Sequence, residues 1–137
     1  MALFIEFLGQ QWMLTSGIIV CFIVLMKYES KKGGESLSPQ QMINMVNQQR
    51  AVVVDLRDKS EFSVGHIVDA INIPSASVAS RMSELEQYRD RPIVIVCKMG
   101  QHSGAAGKLL TAGGFEQIYR LDGGMMEWKN MQLPVVS

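Results

Sequence analysis

The chain has 137 residues, of which 13 are basic and 13 are acidic, so its formal net charge is +0. A chain of this length holds one domain and a short appendage, and its balanced charge supplies no general field that would attract nucleic acid. The two cysteines lie far apart in the sequence, which excludes a disulfide framework or a cysteine-based metal cluster and favours a reducing compartment.

The first feature along the chain is a long apolar segment, since residues 7–26 include no charged side chain. Twenty helical residues span about 30 Å, the thickness of the hydrocarbon core of a bilayer. Trp12 and Tyr28 flank the most apolar part, as aromatic side chains do at membrane interfaces. We therefore predict an N-terminal transmembrane anchor at residues 1–28, with a span of about residues 9–27.

Three other interpretations of the apolar segment stay open. A cleaved signal peptide would begin with a basic region, whereas residues 1–6 contain an acid and no base. An amphipathic helix lying on the membrane would need a charged face, which the segment lacks. A buried helix of a soluble domain is the third interpretation, although the residues that follow are enough to form a domain on their own.

The distribution of lysines around the segment predicts its orientation. Lys27, Lys31 and Lys32 lie on its C-terminal side, and its N-terminal side has no Lys or Arg. Because basic residues tend to stay on the cytoplasmic side, we expect the C-terminal part of the chain in the cytoplasm and the short N-terminus outside. Cys21 then lies within the span as a small apolar residue.

After the anchor, a polar, glycine-containing linker is predicted at residues 29–37, followed by one domain at residues 38–137. The domain begins with a helix, because Ser38 can cap it, Pro39 suits its first turn and Gln41 completes a capping box. Apolar runs and helical periodicity then predict strands and helices that alternate along the chain. The strands are predicted at residues 51–54, 70–74, 92–96 and 117–121, and the further helices at residues 77–88, 103–111 and 125–130.

Strands that alternate with helices indicate an α/β domain with a mainly parallel central sheet. In such a sheet, a reactive site lies beyond the carboxyl ends of the strands. Asp55, Cys97 and Asp122 each follow directly on a predicted strand, so we expect all three at one edge of the sheet.

The residues from Cys97 to Ser103, Cys-Lys-Met-Gly-Gln-His-Ser, form a turn between an apolar strand and a helix. Unpaired N–H groups of the first helical turn and the helix dipole both favour a negative charge there, such as a thiolate or a persulfide. We therefore predict that Cys97 is a reactive nucleophile rather than an inert buried thiol. Gly100 is predicted to have a positive φ angle. Ser103 either caps the helix, the role that we favour, or donates its hydroxyl to the sulfur.

Three segments of the domain together resemble the rhodanese-like family. The first is Asp-Leu-Arg at 55–57 with Glu-Phe at 61–62, Gly-His-Ile at 65–67 and Ala-Ile-Asn-Ile-Pro at 70–74. The second is the cysteine loop with Gly-Gly-Phe at 113–115, and the third is Leu-Asp-Gly-Gly at 121–124 with Trp128 and Leu-Pro-Val at 133–135. Together with the predicted anchor, they give a layout that resembles the YibN-type, membrane-attached single-domain rhodanese proteins of bacteria.

The resemblance implies a rhodanese-like three-layer α/β sandwich and the chemistry of a sulfurtransferase or sulfur carrier. Cys97 would take sulfur from a sulfane donor such as thiosulfate, hold it as a persulfide and pass it to a thiol or to cyanide, without a cofactor or a metal. The loop that would surround the sulfur consists of Lys98, Met99, Gly100, Gln101, His102 and Ser103. Lys98 would attract an anionic donor, while Asp55 and Arg57 are expected to support the loop as an ion pair or brace.

The length of the cysteine loop separates two kinds of chemistry within the resemblance. Members that act on phosphate or arsenate have a longer loop with an arginine that clamps the oxyanion, whereas this loop is short. His102 stands where the phosphatases and many sulfurtransferases have arginine. A phosphatase or arsenate reductase is therefore disfavoured. The alternative to sulfur transfer is a non-catalytic interaction module for an unidentified membrane partner. In either case, the resemblance implies a single-pass protein of the bacterial inner membrane, with a cytoplasmic domain and no nucleic-acid partner.

Overall fold

The computed structural model describes the backbone of residues 1–137 and every side chain except those of residues 29–32. The chain divides into two units, Met1–Lys31 and Lys32–Ser137. The second unit contains the whole sheet and the cysteine loop, so the candidate site lies within it.

The N-terminal unit contains two helices, α1 at Ala2–Gln10 and α2 at Trp12–Lys32. Gln11 separates them with a φ of −115° and a ψ of 39°, which are not helical values. In the part of the chain that the structure describes, no single helix is long and apolar enough to cross a bilayer. Only α1 joined to the first part of α2 reaches that length, with an 84° bend between the two. The predicted span is therefore not one straight helix, because the helical backbone is interrupted at Gln11.

The second unit is built on one five-stranded sheet in which every pair of neighbouring strands is parallel. The strands are β1 at Glu35–Leu37, β2 at Val52–Asp55, β3 at Ile71–Asn72, β4 at Ile93–Val96 and β5 at Ile118–Leu121, in the spatial order β1-β5-β4-β2-β3. All residues of β2 and β4 are buried, as their continuous apolar sequences predict for strands covered on both faces. The predicted parallel central sheet is confirmed.

Helices cover both faces of the sheet. They are α3 at Pro39–Gln49, α4 at Lys59–Val64, α5 at Val78–Arg81, α6 at Ser103–Ala112 and α7 at Gly124–Asn130. One core cluster joins Val54 of β2 to Leu110 of α6, and the cluster on the opposite face joins Val53 to Met42 of α3 and Trp128 of α7. The alternation of neighbouring valines between two cores makes the domain a three-layer α/β sandwich.

The helix predicted to begin at Ser38 is confirmed with its capping box. The backbone N–H of Gln41 donates to the Ser38 hydroxyl at 3.2 Å, and the Ser38 N–H donates to the Gln41 side chain at 2.9 Å. Pro39 occupies the first position of α3, where its missing N–H costs no helical hydrogen bond.

The helix predicted at residues 77–88 is instead three short pieces, with 3₁₀ turns at Ser75–Ser77 and Met82–Tyr88 on either side of α5. The residues that pack on the core in the second turn are Met82, Leu85 and Tyr88. Their spacing of three places them on one face of a 3₁₀ helix, which has three residues per turn. Arg81 and Glu84 pair at the same spacing, and the hydrogen bond from Arg81 lowers the pKa of Glu84 below its ordinary value.

Two elements were not predicted. Glu35 to Leu37 lie in the residues assigned to a polar linker but form the edge strand β1, which pairs with β5. The six residues of α4 are helical, although their sequence predicts no element. Both are too short to show a hydrophobic period, so their structure depends on what they pack against.

Candidate active site

The carboxyl ends of three adjacent parallel strands bring the candidate residues to one edge of the sheet. Asp55 ends β2, Cys97 follows β4, and Asp122 follows β5. Asp55 lies opposite Val96 in the register of β2 and β4. The expectation that these strand ends share an edge is confirmed, because β2, β4 and β5 run in the same direction.

Cys97 is 2% exposed, and its sulfur has two hydrogen-bonding neighbours in its own loop. The backbone N–H of Gly100 donates to Sγ at 2.9 Å, and the Ser103 hydroxyl lies 3.1 Å from Sγ. Gly100 has a φ of +88°, as predicted, and this conformation turns its N–H toward the sulfur. The loop therefore holds the sulfur through one backbone and one side-chain group.

The favoured role of Ser103 as a helix cap is wrong. His102 occupies the N-cap position of α6 without a side-chain cap, and Ser103 is the first helical residue. The Ser103 side chain is fully buried, so its hydroxyl needs a partner inside the protein, and the sulfur of Cys97 supplies it.

The position of Cys97 stabilises negative charge on sulfur. The ten-residue helix α6 begins beside the sulfur, so the positive end of its dipole points toward that region. The Gly100 N–H adds a hydrogen bond that is stronger to a thiolate than to a thiol.

The start of α7 supports the cysteine loop from the other side. The N–H of Met125 donates to the Cys97 carbonyl at 2.8 Å, and the N–H of Met126 donates to the Lys98 carbonyl at 2.9 Å. Gly124 has a φ of +58°, and a Cβ at this position would overlap with the Cys97 carbonyl oxygen. Only glycine therefore allows α7 to approach the loop this closely.

In the sequence analysis, the pair Gly123-Gly124 was only part of the family resemblance, and its contact with the cysteine loop was not predicted. The available signal was two glycines placed directly between a predicted strand and a predicted helix. Such a position is typical of a close backbone approach.

Asp55 and Arg57 form a buried, forked ion pair whose side chains are 1% and 3% exposed. The Arg57 guanidinium donates to both carboxylate oxygens, with its shortest bond at 2.8 Å, and also to the Gly65 carbonyl at 2.7 Å. The Asn72 amide donates to the backbone carbonyls of both residues of the pair. The pair therefore braces the end of β2 against the segment after α4.

A cavity of about 180 Å³ opens beside Cys97, and we call it the sulfur cavity. Its wall is formed by Leu56, Arg57, Asp58, Glu61, Ser75, Cys97, Lys98 and His102. Among the predicted loop residues, Lys98 and His102 thus face the space above the sulfur, whereas Met99 and Gln101 are exposed and do not line it.

Asp58, Glu61 and Ser75 of the sulfur cavity were not predicted as site residues. They lie shortly after predicted strands, at the edge where a site was expected. Glu61 belongs to a segment of the family resemblance, but it was given no role, and no motif included Asp58 or Ser75. Within the described side chains, no three His, Cys, Asp or Glu residues converge as the ligands of a metal would.

Comparison with known proteins gives consistent relatives for this domain. Residues 38–131 match the model of the rhodanese-like domain. The uncharacterized protein YibN of Escherichia coli (strain K12) is 38% identical over 93 residues, which cover 67% of this chain and 65% of YibN. The chain thus spans just under two thirds of the length of that relative.

Two further relatives extend the comparison. The thiosulfate sulfurtransferase GlpE of Shewanella oneidensis is 36% identical over 92 residues, which cover 67% of this chain and 89% of GlpE. The crystal structure of a rhodanese-related protein from Thermoplasma volcanium aligns with a TM-score of 0.67 at 28% identity, covering 74% of this chain and 97% of the other. The family model covers β2 to β5 and the cysteine loop but neither β1 nor the N-terminal helices.

Proposed function

Because the chain belongs to the rhodanese-like family and is of the YibN type, we propose that it is a sulfurtransferase or sulfur carrier that holds sulfur as a persulfide on Cys97. The observation that carries the proposal is the position of Cys97. Its sulfur lies at the start of α6, accepts a hydrogen bond from the Gly100 N–H, and belongs to a residue that lines the sulfur cavity. The similarity to GlpE, named a thiosulfate sulfurtransferase, supports the same type of chemistry.

The reaction has two displacement steps that need no external oxidant or reductant. The Cys97 thiolate attacks the sulfane sulfur of thiosulfate, a sulfur–sulfur bond forms, and sulfite leaves with the electron pair of the broken bond. A thiolate or cyanide then attacks the outer sulfur of the persulfide, and the Cys97 thiolate leaves. The Gly100 N–H and the helix dipole stabilise the negative charge on sulfur before and after each step.

The shape of the loop supports sulfur rather than phosphate as the group transferred. The loop turns directly from β4 into α6, and His102 takes the position where an oxyanion clamp would need arginine. The Arg57 guanidinium lines the sulfur cavity, but it is bound to the Asp55 carboxylate, so its charge is already compensated. Arg57 therefore does not supply the free forked clamp that hydrolysis of a phosphate ester would need beside the sulfur.

Intact mass after incubation with thiosulfate tests the proposal. We expect the full chain to gain one sulfur atom per molecule and to form thiocyanate when cyanide is added. Cys97→Ser should abolish both results, and Cys21→Ser, which changes the other free cysteine, should leave both intact. No adduct on the unsubstituted chain would contradict the proposal, and an unchanged cellular role of Cys97→Ala would favour the interaction module instead.

We further propose that the N-terminal unit tethers the domain to the bacterial inner membrane, with the domain on the cytoplasmic side. The large apolar side chains of α1 and of the first part of α2 are exposed, which is the pattern of helices in contact with lipid. The charge pattern of Lys27, Lys31 and Lys32 supports the orientation.

Thiol labelling in intact cells tests this tether. Membrane-permeant reagents should modify the Cys97 site, and impermeant reagents should do so only after the cells are opened. The protein should also stay with membranes that are washed at high pH. Labelling by an impermeant reagent in intact cells would reverse the orientation, and release by the wash would exclude the tether.

A further inference from the structure

A second cavity, of about 240 Å³, adjoins the sulfur cavity on the side of α7, and we call it the α7 cleft. The two cavities share three wall residues, Arg57, Glu61 and Lys98. A molecule that reaches the Cys97 sulfur can therefore extend past Lys98 into the α7 cleft. Thiosulfate is too small to need this second space, so the α7 cleft suits a larger substrate.

The α7 cleft has a net positive charge, even though the charge of Arg57 is neutralised by its buried ion pair with Asp55. Arg57 is compensated by Asp55, so the remaining charges in the wall are Lys98, Lys129 and one acid, Glu61. Both lysines are exposed, and none of the ion pairs among the described side chains includes either of them. The cleft thus offers two ammonium groups for anionic groups of a ligand and one carboxylate for a cationic group.

Two methionines and one asparagine complete the wall of the cleft. Met125, which is buried, and Met126, which is 49% exposed, both line the cleft. Methionine side chains are flexible and fit varied apolar surfaces. Asn130 adds an amide that can both donate and accept. A ligand with a short apolar stem and charged ends matches this wall.

We propose that the α7 cleft binds the body of the sulfur acceptor, and that this acceptor is a small thiol of the amino-acid or peptide type with more carboxylates than ammonium groups. Its carboxylates lie against Lys98 and Lys129, its ammonium group against Glu61, and its stem on Met126. The thiolate then attacks the outer sulfur of the Cys97 persulfide, becomes a persulfide itself and releases the Cys97 thiolate. The identity of the acceptor rests on the proposed function, whereas the binding properties of the cleft do not.

Binding without chemistry gives the first test. The probe is S-methylglutathione, which has two carboxylates, one ammonium group and no reactive thiol. Added to the full chain in detergent micelles, it should shift the methyl NMR signals of Met125 and Met126. Lys98→Gln and Lys129→Gln should each weaken binding about three- to fivefold, as expected for an exposed ion pair, and added salt should weaken it further.

Two controls make this binding test specific. Lys59→Gln removes the same charge from an exposed lysine that lines neither cavity, and it should leave the affinity unchanged. The diethyl ester of the probe, which has lost both carboxylates, should bind more weakly than the probe itself. Equal binding of the ester, equal affinity in Lys129→Gln, or no shift at Met126 would each overturn the proposal.

Transfer from the loaded persulfide gives the second test. The unsubstituted chain should transfer sulfur to glutathione faster than to glutathione diethyl ester, and Lys129→Gln should reduce that preference more than Lys59→Gln does. A preference that survives Lys129→Gln overturns the assignment of the cleft while leaving sulfur transfer intact. Failure to load sulfur at all overturns the proposed function, and the binding test still decides whether the cleft takes anionic ligands.

Discussion

At the scale of single residues, the chemistry of Cys97 depends on groups that come from its own loop. The Gly100 N–H is fixed by the backbone, while the Ser103 hydroxyl can donate to a negatively charged sulfur or accept from a thiol. Because Ser103 is fully buried, its hydroxyl cannot form a hydrogen bond with solvent in place of the one with sulfur. Its contribution should therefore be visible in the rate of sulfur loading.

Ser103→Ala should slow persulfide formation about 10- to 150-fold, because a hydrogen bond to a charged group contributes about 1.5–3 kcal/mol. The measurement is the single-turnover rate of loading from thiosulfate, followed by intact mass. Ser80→Ala serves as the control, since the exposed Ser80 hydroxyl donates to the backbone carbonyl of Ser77, away from the sulfur cavity. An unchanged loading rate in Ser103→Ala would show that the contact is structural only.

The buried ion pair between Asp55 and Arg57 is a second feature at this scale. Arg57→Ala should lower the free energy of unfolding by about 3–5 kcal/mol, because it leaves the Asp55 carboxylate buried without a counter-charge. Arg81→Ala is the matched control, since its pair with Glu84 is exposed to solvent and should contribute little to stability. Chemical denaturation of both variants checks the difference, and equal losses would contradict the brace.

At the scale of elements, two helices hold the cysteine loop between them. The first turn of α6 includes Ser103, which contacts the sulfur, and the first N–H groups of α7 bind the carbonyls of Cys97 and Lys98. This packing leaves no room for a side chain at Gly124. The geometry of the loop is therefore set by α7 as much as by the loop residues themselves.

Gly124→Ala should reduce sulfur loading at least tenfold, because the new Cβ would push the Cys97 carbonyl and shift the loop, and displacements of this kind at a reacting atom are costly. Gly104→Ala is the control within α6, since a Cβ there meets only the end of the Arg120 side chain at 3.4 Å. Loading rates and thermal stability should be measured together. Full loading by a folded Gly124→Ala variant would contradict the role of α7.

At the scale of the whole molecule, the domain extends further toward the N-terminus than the family match. Residues before Ser38 add β1 to the sheet, with Leu37 buried, the Asp122 N–H donating to the Leu37 carbonyl, and Arg120 donating to the Gly34 carbonyl. These contacts tie the start of the second unit to β5 and to the strand end near the site. The folded unit therefore needs residues that directly follow α2.

A truncated chain that begins at residue 38 should be less stable than one that begins at residue 32. It loses the pairing of β1 with β5 and the burial of Leu37, and a buried leucine alone contributes about 1.5–3 kcal/mol. Thermal unfolding followed by circular dichroism measures the difference. Equal midpoints for the two chains would show that β1 is dispensable.

Much of this protein could be predicted from its sequence because the signals are local. The apolar runs at β2 and β4, the capping box at Ser38 and the loop at Cys97 each lie within about ten residues, so periodicity, capping and turn chemistry were sufficient to recognise them. The family follows from the same short motifs. The positive φ angle of Gly100 and the parallel sheet were therefore predicted without the structure, and the reactivity of Cys97 stays a prediction.

Only the tertiary structure determines the contacts between segments that lie far apart in the chain. The pairing of β1 with β5, the close approach of Gly124 to Cys97, and the α7 cleft depend on the order of strands in the sheet. Even the partner of the Ser103 hydroxyl changed from a helix end to the sulfur, because burial leaves the hydroxyl no other group to bind. Local sequence patterns do not specify such packing, because the free energy of packing is gained only when surfaces from distant parts of the chain come into contact.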